Sequence, residues 1–143
     1  MGGAVVELLL AKGATVRILS RGEYPRLKKS GIECLRGDIA DPAAAAGACR
    51  GCDTVFHVAA KVGMWGRYGD FYETNVDGTA NLLKAAKTAG VSRFVFTSSP
   101  SVVFTGGDVE GWDETAPYPV KFDSYYAETK AIAEQLALAA NSP

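Results

Sequence analysis

Short apolar runs alternate with helix-periodic segments from one end of this 143-residue chain to the other, and that alternation leaves few folds open. Residues 15–19, 32–35, 54–58 and 93–97 read as strands, the first two separated by a turn-rich stretch with Gly22, Pro25 and Gly31. Residues 3–12 carry a helix pattern stopped by Gly13. Asp41 as N-cap with Pro42 at the first helical position opens another, an alanine run to Cys49 that Gly51 stops. A long helix covers 71–89, with Val76, Ala80, Leu83 and Ala86 on one stripe and Gly90 at its end. Residues 101–123 read as a loop, after which Asp123 or Ser124 caps a final helix that Asn141 and Pro143 terminate. Helices between apolar strands mean βαβ units, hence a parallel sheet with helices on both faces. The nearly continuous apolar run at 54–58 predicts a strand buried on both of them.

Composition narrows the function. A net charge of −1 with both signs interspersed provides no basic stripe for nucleic acid or an acidic membrane surface. Residues 4–10 are apolar, but Glu7 interrupts them and they are too few to span a bilayer. Three cysteines, an odd count, fit a reducing cytoplasm better than a disulfide scaffold. Cys49 and Cys52 spell C-x-x-C, yet at the end of a helix pattern, whereas redox pairs use a helix N-terminus to lower a thiol pKa; they read as buried or half-buried thiols. The single histidine, His57, has no partners at ligand spacing, so it reads as a hydrogen-bonded core residue and no metal site is expected.

The chemistry is carried by Tyr126-Ala127-Glu128-Thr129-Lys130, downstream of a strand pattern that ends in Thr97-Ser98-Ser99. A spacing of four puts phenol and ammonium on one face of a helix, one turn apart. A tyrosine with its ordinary pKa near 10 is a poor acid or base at neutral pH. A lysine cation about 4 Å away, at an effective dielectric of roughly 20, stabilises the phenolate by up to ~4 kcal/mol, close to three pKa units. Tyr125, five residues from Lys130, faces elsewhere.

These residues, together with Arg36-Gly37-Asp38-Ile39, His57-Val58-Ala59-Ala60 and Asn75-Val76-Asp77-Gly78-Thr79, resemble the extended short-chain dehydrogenase/reductase superfamily. The stretches from Ala59 to Gly66 and from Thr97 to Phe104 most resemble its 3β-hydroxysteroid dehydrogenase-like branch, which includes sterol dehydrogenases and bacterial 2-alkyl-3-oxoalkanoate reductases. The resemblance implies an α/β, Rossmann-like doubly wound parallel sheet. It also implies that residues 1–143 form a partial NAD(P)-binding domain: Met1-Gly2-Gly3 matches the last glycine of the family's phosphate-binding turn, so a first strand and a C-terminal substrate lobe are expected to be missing.

Roles follow from the same resemblance. Tyr126 would exchange a proton with the substrate oxygen, Lys130 would lower its pKa and hold a ribose hydroxyl, Ser99 would hydrogen-bond the reacting oxygen, and Asn75 would support the active-site backbone. Ser98 and Ser101 are rival hydroxyls for the role of Ser99. Gly2, Arg21, Asp38, Ile39, Ala59, Ala60 and Lys130 would line the dinucleotide, with Asp38 near the adenine. Arg21, with no acid at Ser20, favours NADP(H) over NAD(H), since an arginine suits a 2′-phosphate. Met64, Trp65, Tyr68, Tyr72 and Trp112 point to a small hydrophobic substrate such as a sterol or long-chain 3-oxo acid, or to packing against a further lobe. A homodimer through the two long helices is implied as well. The alternatives are a nucleotide-sugar epimerase or dehydratase using the same residues, a non-catalytic nucleotide-binding module, and an inactive truncated product.

Overall fold

The computed structural model describes residues 1–107 and 110–141. Helix α1 (Gly2–Ala11) leads to strand β1 (Arg17–Ser20), the short helix α2 (Pro25–Lys29) and strand β2 (Glu33–Arg36). Helix α3 (Pro42–Cys49) and strand β3 (Thr54–His57) follow. Then come α4 (Tyr68–Tyr72), a π-helical turn (Glu73–Asp77) and α5 (Gly78–Ala89) in one continuous run, strand β4 (Arg93–Phe96), a 3₁₀ turn (Pro100–Val102) and helix α6 (Tyr125–Ala139). All ladders are parallel, as the alternation requires. Arg17 of β1 lies opposite Glu33 of β2, and Thr54 of β3 opposite Arg93 of β4.

The strands form two pairs, β1–β2 and β3–β4, and among the described residues no strand runs between β1 and β3. One consequence corrects the expectation for residues 54–58. Val55 and Phe94 pack on the core beneath α3 and α5, whereas the paired residues Phe56 and Val95, on the opposite face, are 39% and 44% exposed. The run is apolar on both faces but covered on one.

The core between α3 and α5 consists of Ile39, Ala45, Cys49, Leu82, Ala85 and Ala86, with Leu19, Val55, Val91 and Phe94 packed against it. Small residues on α3 are what let the two helices approach. The Asp41 carboxylate caps α3 by accepting from the Ala43 N–H at 2.8 Å, and Gly51 leaves it with φ of 70°. Cys49 is buried and its thiol pKa is raised by burial, while Cys52 sits half-buried beside the Ala48 carbonyl with the Arg17 guanidinium 3.6 Å from its sulfur.

The stripe on the long helix also differs from the apolar reading. Val76, Thr79, Leu82, Ala85 and Ala86 are buried, whereas Ala80 is exposed and Leu83 only half-buried. Hydropathy places Asn75 and Thr79 outward; both are buried because each finds hydrogen-bond partners inside, which rotates the covered face. The helix begins earlier than expected, at Tyr68, where Arg67 pairs with Asp70 at 2.8 Å. At the last helix Ser124 is the cap, its hydroxyl accepting from the Ala127 N–H at 3.1 Å. That helix ends at Ala139, and Pro143, expected to terminate it, lies outside the described residues.

Two glycines test the packing. A Cβ on Gly78 would stand 2.7 Å from both Cγ1 and Cδ1 of the buried Ile39, whereas one on Gly47 of α3 would meet nothing within 4 Å. Gly78→Ala should therefore cost about 1–3 kcal/mol of overpacking. Gly47→Ala should stabilise by roughly 0.5–1 kcal/mol through helix propensity. Denaturant melts of the two variants check the pair, and equal midpoints would contradict this packing.

Candidate functional site

Helix α6 positions the site because its first turn is fixed by Ser124 and it buries Thr129 and Lys130 among the small core residues Ala127, Ala131 and Ala133. Tyr126 is half-buried near the helix start, and Lys130, one turn on, is 3% exposed. The Lys130 ammonium donates to the Thr97 carbonyl at 2.6 Å and lies 4.0 Å from the centre of the Phe96 ring. Burial pulls its pKa down to about 8, with the Glu134 carboxylate opposing that shift. One N–H is thus committed to the end of β4, and two remain for other acceptors. Tyr125 points to the other flank, edge-on to Tyr68 at 5.3 Å between ring centres.

The three serines of the strand end separate clearly. Ser98 donates to Glu134 of α6, which occupies it. Ser99 caps the 3₁₀ turn, its Oγ accepting from the Ser101 N–H at 3.3 Å and lying 2.9 Å from the Ser101 hydroxyl. Ser99 is therefore tied to its own turn rather than to α6.

Asn75 sits in the π turn with its amide fully satisfied. Its Oδ1 accepts from the Lys61 N–H at 2.8 Å, and its Nδ2 donates to the Lys61 carbonyl at 3.1 Å and to Thr129 Oγ1 at 3.0 Å. It ties the segment after β3 to α6 at the residue beside Lys130. Thr79 donates to the Asn75 carbonyl at 2.6 Å, so its hydroxyl proton is spent and His57 Nε2, at 2.8 Å, must be the donor to Thr79 Oγ1. Burial, and secondarily the Lys130 charge, lowers the His57 pKa to about 4. This is the core histidine the sequence predicted, and among the described residues no group of His, Cys, Asp and Glu could hold a metal.

The residues expected to line a dinucleotide gather at the C-terminal ends of the strands, where open α/β sheets bind ligands. Gly2 opens α1 so close to the end of β3 that a Cβ would be 3.3 Å from Val58 Cγ2, next to the exposed Ala59 and half-buried Ala60. No side chain caps the α1 N-terminus, so its first N–H groups are available to an anion. Arg21 and Asp38, just beyond β1 and β2, form an ion pair at 3.7 Å. Asp38 also makes the turn contact of a loop aspartate, accepting from the Ala40 N–H at 3.0 Å. Ile39 is different: its side chain belongs to the core and its carbonyl accepts from Asn81 Nδ2 at 3.2 Å.

An open groove of about 880 Å³ runs beside α6, lined among others by Met64, Trp65, Val120, Phe122 and Tyr125. It brings together two of the five apolar and aromatic residues singled out from the sequence. Tyr68, Tyr72 and Trp112 are not among its lining. Sequence reading missed Thr129, Tyr118 and Glu134, although Glu134 follows Lys130 by the same four-residue step that separates Lys130 from Tyr126.

Residues 1–143, the whole chain, match the model of the 3-beta hydroxysteroid dehydrogenase/isomerase family. The chain belongs to that family. It is 42% identical over 141 residues to a 2-alkyl-3-oxoalkanoate reductase of Shewanella oneidensis, an alignment covering 99% of this chain and 36% of that protein. It is 43% identical over 148 residues to a 3 beta-hydroxysteroid dehydrogenase/Delta 5-->4-isomerase of Mycobacterium tuberculosis, covering 99% and 40% respectively. Among solved structures it superposes on a short-chain dehydrogenase/reductase superfamily protein from Agrobacterium tumefaciens with bound NAD, with a TM-score of 0.82, 33% identity and coverage of 95% of this chain and 40% of that one. The chain thus spans about two fifths of the length of these relatives, and its parallel α/β architecture is the Rossmann-type fold of the structure it superposes on. No helix among the described residues is long and apolar enough to cross a membrane.

Proposed function

We propose that the protein transfers hydride between NADP(H) and a secondary alcohol or ketone on a hydrophobic substrate, of the sterol or long-chain 3-oxo acid class. The observation that carries this is the buried Lys130 ammonium, one turn after Tyr126 and hydrogen-bonded to the strand end that bears Ser99. When bound, the nicotinamide supplies or accepts the hydride. In the reducing direction Tyr126 gives its phenolic proton to the oxygen of the carbonyl, Ser99 donates a hydrogen bond to the same oxygen, and Lys130 stabilises the phenolate left behind. Asn75 touches no reacting atom in this scheme; it holds the Lys61 backbone and Thr129 in place. Three free thiols agree with a reducing, cytoplasmic setting, which belongs to the same proposal.

The residues present fit a dinucleotide through Gly2, the uncapped start of α1 and the strand-end pair Arg21 and Asp38. Arg21, next to Ser20 where an NAD-selective site would carry an acid, supports NADP(H). The relative from Agrobacterium tumefaciens carries NAD, which makes cofactor choice the point to measure. Ser20→Asp combined with Arg21→Gln should swing preference toward NADH by about 10- to 100-fold, the equivalent of one charge-assisted contact of roughly 1.5–3 kcal/mol. The assay follows reduced-cofactor consumption with a 2-alkyl-3-oxo acid, a 3-ketosteroid and a nucleotide sugar. Turnover confined to the nucleotide sugar would replace the substrate class, and equal use of NADH and NADPH by the unaltered protein would remove the role of Arg21.

A further inference from the structure

Three consecutive strand-end residues meet α6 in different ways. Thr97 accepts from Lys130, Ser98 donates to Glu134, and Ser99 is held by its own turn. Tyr126, Lys130 and Glu134 follow one another at intervals of four, so they share one face of α6. Glu134 has a second partner. Its Oε1 accepts from the Tyr118 hydroxyl at 2.8 Å, while Oε2 takes Ser98, so a single half-buried carboxylate draws the β4 end and the loop before α6 onto the helix.

We infer that Glu134 is a positioning residue of the site. By gripping Ser98 and Tyr118 it fixes where the neighbouring Ser99 hydroxyl lies relative to Tyr126, and it places a carboxylate one turn beyond the buried ammonium of Lys130 on the same helix face. The inference rests on the reading of Ser99, Tyr126 and Lys130 as the reacting group of residues. Two physical features support it. Lys130 is buried over the Phe96 ring and against the Thr97 carbonyl, and Glu134 adds a carboxylate that favours its charged form against desolvation. The Tyr118 phenol is pushed up to about 12 by burial and by its bond to Glu134, so it stays a proton donor across the working range. Neither partner of the carboxylate can release it by titrating near neutrality.

The role is separable from simple packing because two effects divide between two kinds of variant. Glu134→Gln keeps the shape and one acceptor oxygen but removes the charge. The Lys130 titration, read by NMR on lysine labelled at the ε position, should then move to lower pH, and the alkaline limb of the rate profile should follow it. Ser98→Ala combined with Tyr118→Phe keeps the charge and removes both grips. Lys130 should then titrate at or above its original pH, while the Ser99 amide resonance shifts and turnover falls by about tenfold with the dinucleotide dissociation constant within twofold. An unmoved Lys130 titration in Glu134→Gln, or an unmoved Ser99 resonance in the double variant, overturns the inference. If Glu134→Gln does not fold, the double variant alone decides. Failure of the catalytic reading looks different: Tyr126→Phe would keep its turnover, whatever Glu134 does to Lys130.

Discussion

Tyr126→Phe lowers turnover by about 100-fold or more and leaves dinucleotide affinity within a few-fold, because positioned general acid catalysis is worth roughly that factor and the ring itself is retained. Lys130→Met behaves differently and loses both. Its ammonium is committed to the Thr97 carbonyl on one side and has two N–H groups left, which the proposed mechanism gives to the phenolate and the nicotinamide ribose. A methionine keeps the length and the apolar stem but leaves the Thr97 carbonyl without its donor, so strand end and helix should also lose registration. The decisive comparison is kcat against the cofactor dissociation constant in the two variants. Equal losses in both parameters for Tyr126→Phe would make the phenol a binding group rather than an acid, and unchanged turnover would remove it from the reaction.

How much of this was legible in the sequence depends on which force sets each feature. The helix through Tyr126 and Lys130 was legible because spacing alone puts the two residues on one face, and the start of α3 because Asp41-Pro42 is a local capping signal. His57 was legible by elimination, since a lone histidine without ligand spacing has few roles. Burial of Asn75 and Thr79 was not, because a hydropathy stripe treats polar side chains as outward-facing and cannot see that Lys61, Thr129 and His57 satisfy them. The π turn that carries Asn75 has no pattern of its own in this stretch. The exposure of Phe56 was not legible for a different reason: apolar character reports what a strand face tolerates, and cover comes from elements elsewhere in space. Glu134 was passed over because a glutamate on a helix normally reads as a solvated charge. Only the contacts to Ser98 and Tyr118 distinguish it.

Acidification should expose His57. Its folded pKa of about 4 lies below the ordinary 6.5, so between those values the unfolded chain binds a proton that the folded chain refuses. The stability tied to this group is complete above pH 6.5 and is lost as pH falls through the window to 4. The shift corresponds to about 3 kcal/mol at most, a large share of a typical domain's 5–15 kcal/mol. The physical cause is the burial of the ring, hydrogen-bonded by Nε2–H to Thr79 and facing the Lys130 charge. Lys130 gives the mirror case on the alkaline side. Its folded pKa of about 8 lies below 10.5, so its contribution grows as pH rises from 8 to 10.5, again by about 3 kcal/mol at most. Both buried bases therefore push the stability maximum upward in pH. Denaturant melts of the protein, His57→Gln and Lys130→Met across pH 4 to 10 isolate the two terms, because carboxylates and phenols common to all three cancel in the differences. His57→Gln should flatten the acid slope alone, and Lys130→Met the alkaline slope, with a milder acid slope as well, since loss of the ammonium lets His57 accept its proton more readily. Parallel curves for the protein and His57→Gln between pH 4 and 6.5 would mean that the folded ring already accepts its proton, and the neutral His57 to Thr79 bond would have to be abandoned.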